Sequence, residues 1–90
     1  MNALTDIKTE KGTIDGVSVV SNLLRLVHGK HHVILVPNDV ERTYLRDTCG
    51  LKEETGNVSA QSEYELSQCL ALLDYLDVTL TGRVNALFAL

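Results

Sequence analysis

The run Val33-Ile34-Leu35-Val36, stopped by Pro37, constrains the fold most. Consecutive apolar residues, mostly β-branched, form a short buried strand. Proline lacks the N–H that would continue the ladder. A continuous rather than alternating run suits a central strand covered on both faces. Helix signals flank it. Upstream, Asp15 precedes Val17, Val20, Leu23, Leu24 and Val27 at helical spacing, with Val19 and Leu26 added and Gly29 as the stop. This spacing predicts a helix over about 16–28, buried on more than one side. Downstream, Asn38 and Glu41 form a capping-box pair, Val40, Tyr44, Leu45 and Cys49 mark one face, and Gly50 ends the helix. Arg42 and Arg46, four apart, are expected as a wet basic stripe.

The second half is predicted in the same way. Leu51–Ser59 reads as a loop with Gly56-Asn57 as its turn, and Asn57–Ala60 as either brief strand or loop. Ser62 with Glu65 caps a third helix from Glu63 to Leu76, its face marked by Leu66, Cys69, Leu70, Leu73 and Leu76. Asp77–Gly82 is rich in β-branched residues, so a strand over Val78–Thr81 is expected, then a last helix from Arg83 to Ala89 capped by Thr81.

At 90 residues, 44% apolar and 22% charged, the chain is one compact domain over 1–90, opened by a polar segment at 1–14. The expected fold is α/β: a small single-layer sheet of two or three short parallel strands with three to four helices. The alternative is a mostly α domain with one short strand or a C-terminal zipper, because Leu66, Leu73, Leu80 and Leu87 fall seven apart.

Charge is uneven along the chain. Residues 1–46 carry a net +1 and residues 47–90 a net −5, with no basic residue between Lys52 and Arg83. Such a surface repels nucleic acid and attracts basic partners. Tyr44, Tyr64, Tyr75 and Phe88 are too few for a base-stacking platform. No run approaches the ~20 apolar residues of a membrane span. Met1–Lys11 is polar and lacks the pattern of a signal peptide, and two cysteines do not make a disulfide framework, so a reducing, cytoplasmic setting is expected. Cys49 and Cys69 each read as a small buried hydrophobe.

No complete catalytic or metal motif is present. Lys11–Ser18 has the Gly16 and Ser18 of a phosphate loop, but Lys11 stands at the first glycine and Val17 at the lysine. His28, His31 and His32 lack a second ligand pair at zinc spacing. Cys49, His31 and Asp39 combine into a nucleophilic triad only on paper. The expected function is therefore a non-catalytic protein-binding module, a small acidic inhibitor or adaptor of the kind phages direct at host machinery. No metal or cofactor is expected. Glu63, Glu65, Asp74 and Asp77 are the expected contacts to a basic protein partner. Leu80, Val84, Leu87 and Phe88 are the expected contacts for homo-oligomerisation. The alternative is a ligand-binding or degenerate nucleotide-binding module without hydrolase activity, using Gly12–Ser18 and Pro37–Asp39.

Overall fold

The computed structural model describes residues 6–29 and 31–80, with side chains through residue 76. Within them the order is β1 (Asp6–Thr9), β2 (Gly12–Asp15), α1 (Gly16–Val27), β3 (Val33–Leu35), α2 (Asp39–Cys49), β4 (Lys52–Glu54), β5 (Asn57–Ser59) and α3 (Glu63–Leu80). Helix and sheet are mixed, as the sequence implies. The described residues contain three helices and two small sheets.

Both sheets are antiparallel, which corrects the expected parallel pairing. β1 and β2 form a two-stranded hairpin, and β3-β5-β4 form a three-stranded sheet. The polar opening segment is thus largely that first hairpin. Ile7 and Ile14 pair across it, with Ile14 in the core. The Thr9 hydroxyl closes its tip by donating to the Gly12 carbonyl at 2.6 Å and accepting the Lys11 and Gly12 N–H groups. α1 does separate the first hairpin from β3, and α2 separates β3 from β4, but β4 ends only two residues before β5. Strands that close together can only turn back on each other. The expected 51–59 loop is therefore a hairpin.

Its turn lies one residue earlier than the sequence suggests, at Thr55 and Gly56. Their φ values of 48° and 83° follow the left-handed pattern of a tight hairpin turn. Gly56 accepts this freely, whereas the β-branched Thr55 is strained there.

β3 is an edge strand, not a central one. Ile34 and Val58 face the core, while Val33 and Leu35 are exposed on the outer face. The helix starts follow their caps. Asp15 Oδ1 accepts the Val17 N–H at 2.9 Å, Asn38 Oδ1 accepts the Glu41 N–H at 3.0 Å, and the Ser62 hydroxyl accepts the Glu65 N–H at 3.2 Å. Gly50 closes α2 in the left-handed conformation.

The core gathers Val19, Leu23 and Leu26 of α1, Leu45 and Cys49 of α2, and Cys69, Leu72 and Leu76 of α3 around Ile34, Val36, Leu51 and Val58. α3 packs against both α1 and α2. It continues through 78–80, which corrects the expected strand there. The β-branched residues Val78 and Thr79 extend an established helix, and the preceding buried face outweighs their weak propensity. The expected last helix from Arg83 lies outside the described residues.

Replacing Thr55 with Asn, which tolerates positive φ, is expected to stabilise the protein by about 1 kcal/mol. A denaturant titration reads this as a higher midpoint at unchanged slope.

Candidate functional site

The outer face of α3 is the surface on which chemistry and exposure coincide. Cys69, Leu72 and Leu76 are buried, and this sets the opposite side of the helix toward solvent. Tyr64, Leu70 and Tyr75 stand there, 70%, 42% and 63% exposed. Tyr64 and Tyr75 are eleven positions apart, three helical turns, so they share a side about 16 Å apart along the axis. Glu63 and Asp74, also eleven apart, line the adjacent side and are both exposed. The face therefore alternates large apolar or aromatic groups with carboxylates.

The expected acidic contacts do not all belong to it. Glu65 points to the other side of the first turn. Its carboxylate accepts the Ser62 hydroxyl at 3.1 Å, and its methylene lies near Gly50. It serves the helix start. Asp77 continues the helix, but its side chain is outside the described residues. Leu80 is the last helical residue described, and Val84, Leu87 and Phe88 lie beyond. Tyr64 and Tyr75 went unassigned in the sequence, although their spacing of eleven already placed them together. Leu70 is half in solvent rather than in the core. Leucines at 66, 70, 72, 73 and 76 cover so much of the helix that periodicity leaves its buried side open; packing against α1 and α2 decides it.

The arginines of α2 do not form a free basic stripe. Arg42 Nε donates to Glu53 Oε2 at 2.8 Å, and its Nη1 donates to the Val36 and Pro37 carbonyls at 2.6 and 3.0 Å. Arg42 also pairs with Asp39. Arg46 Nη1 donates to Glu53 Oε1 at 3.1 Å. Glu53 occupies an inward position of β4, level with Val58, and so needs these partners. Both guanidiniums are held firmly charged, Arg42 first by its Glu53 hydrogen bond and Arg46 first by Asp47.

Glu41 is a buried carboxylate between α1 and α2. The Ser18 hydroxyl donates to Oε2 and the Asn22 amide to Oε1, each at 3.1 Å. Burial raises its pKa above the usual carboxylate range. The two hydrogen bonds counteract that, and Asp15 adds to it. The start of α1 thus differs from a phosphate cradle. Asp15 caps it, Ser18 is committed to Glu41, and both neighbours are acidic.

His28, His31 and His32 are exposed, and no group of three or more metal-ligating side chains occurs among the described residues. No described helix is long and apolar enough to cross a membrane. No family model, curated protein or solved structure matches the chain.

Glu41 carries a pH signature. Its folded pKa lies above the unfolded value, so the folded state holds the proton more tightly. That contribution to stability is full below the ordinary carboxylate pKa of about 4.3 and is lost as pH rises through the folded value. Glu41→Gln keeps a neutral group of the same shape. The variant is expected to be more stable than the parent at pH 7, and the advantage is expected to shrink toward pH 4. Thermal midpoints of the two proteins across that range measure it.

Proposed function

We propose that this protein is a non-catalytic docking module that binds a basic protein surface through the outer face of α3. The observation that carries this reading is the pairing of exposed Tyr64 and Tyr75 with exposed Glu63 and Asp74 on one helix that bears no basic residue. Tyrosine brings a large, rigid contact area at little entropic cost and is enriched at interface hot spots. Carboxylates beside it select cationic partners and speed encounter. Arginine suits the face best, since its planar cation stacks on a phenol ring while pairing with a neighbouring carboxylate. Acting by occupying such a surface, the protein would serve as an inhibitor or adaptor. The acidic composition is in keeping with that role.

Glu65 belongs to the helix start, so its reversal to Lys is expected to lower thermal stability. Glu63→Lys with Asp74→Lys, and separately Tyr64→Ala with Tyr75→Ala, are expected to leave the midpoint nearly unchanged. Each pair is expected to weaken the partner complex at least tenfold, about 1.4 kcal/mol. Affinity capture from source-cell lysate names the partner, and titration of the purified pair measures the loss. Equal binding by parent and both double variants would sink the proposal, as would a partner lacking a basic surface.

A further inference from the structure

We propose that Cys49 and Cys69 form an oxidation site, a paired dithiol that closes into an intramolecular disulfide when the protein meets a hydroperoxide. The two residues are twenty apart and on different helices, so spacing alone does not relate them. The fold does. Cys49 is the last residue of α2, Cys69 lies in the second turn of α3, and the two helices pack together. Both side chains are free thiols and fully buried. Where the helices pack, Cys49 and Gly50 lie against the Glu65–Gln68 turn that leads into Cys69, and the two thiols are near enough to perturb each other. They are the only two cysteines in the chain, so each has one intramolecular partner.

Access exists at the same junction. A cleft of about 380 Å³ is lined by Cys49, Gly50, Ser62, Glu65 and Gln68. Cys49 lines this cleft and Cys69 does not, so a hydroperoxide entering it reaches the pair from the Cys49 side.

Thiolate is the attacking species. The sulfur of one cysteine bonds to one peroxide oxygen, the O–O bond breaks, and the departing hydroxide takes up the thiol proton as water. That cysteine is then a sulfenic acid. The other cysteine, losing its proton, attacks the oxidised sulfur. The S–S bond forms, the S–O bond breaks, and a second water leaves with that proton. Two thiols are oxidised by two electrons and one peroxide is reduced to two waters. The bridge encloses residues 50–68, including the β4–β5 hairpin, and ties it to the two helices.

The test uses the full chain, treated with hydrogen peroxide under native conditions, then denatured and alkylated. The expected product is a monomer that has lost the mass of two hydrogens, takes up no alkylating label, and regains both thiols with dithiothreitol. Digestion without reductant should yield the peptide pair joined through Cys49 and Cys69. The oxidised form should melt higher than the reduced form, as a closed loop restricts the unfolded chain. Cys49→Ser and Cys69→Ser should each abolish the loss of two hydrogens under the same treatment. Circular dichroism of each variant checks its fold. Full alkylation of both thiols after peroxide treatment would overturn the proposal. So would disulfide-linked dimers as the main product, or sulfinic acid at either position without a bridge.

Discussion

The Arg42 guanidinium ties together the end of β3, the first turn of α2 and strand β4, segments that do not pair with one another. It answers two needs at once. The Val36 and Pro37 carbonyls lie where the chain leaves the sheet, just past the Val36 N–H that donates to the Gly56 carbonyl at 3.0 Å. Glu53 sits at an inward position of β4, where an unpaired carboxylate would be costly. One planar, always-charged group with several donors satisfies both, which lysine could not do with the same geometry. The rest of the fold leans on that arrangement. With β4 held against α2, β5 is placed between β3 and β4, and Ile34 and Val58 close the sheet side of the core.

α3 completes the core from the other side, and its orientation separates structural from available groups. Cys69, Leu72 and Leu76 are spent on packing. Glu65 is spent on the helix start, where a carboxylate also suits the helix dipole. Tyr64, Leu70 and Tyr75 are left outside with Glu63 and Asp74. The same packing brings Cys49 against Cys69. The exposed tyrosines and carboxylates and the buried Cys69 thus sit on opposite sides of one helix, each a by-product of how that helix is rotated about its axis.

Helix boundaries were largely legible in the residues because capping is local. Asp15, Asn38 and Ser62 each act within three positions, and Gly50 needs only its own backbone conformation. The hairpins were obscured because strands of three or four residues offer too few alternations to stand out. β4, moreover, reads Lys-Glu-Glu, with no apolar residue to mark its inward side. The turn residue Thr55 disfavours the conformation it adopts, so local chemistry there pointed away from the answer. The acidic half of the candidate site was visible as composition. Its aromatic half needed the rotation of α3, which an almost evenly leucine-covered helix does not reveal.

The sequence by itself determined that this is a small mixed α/β domain, where its three described helices begin, and that its second half is acidic. These follow from interactions within a few residues or from composition. Only the tertiary structure decided strand direction, the edge position of β3, the side of α3 that meets solvent, and the meeting of Cys49 with Cys69. Each depends on contacts between residues distant along the chain, whose burial outweighs local propensity wherever the two conflict.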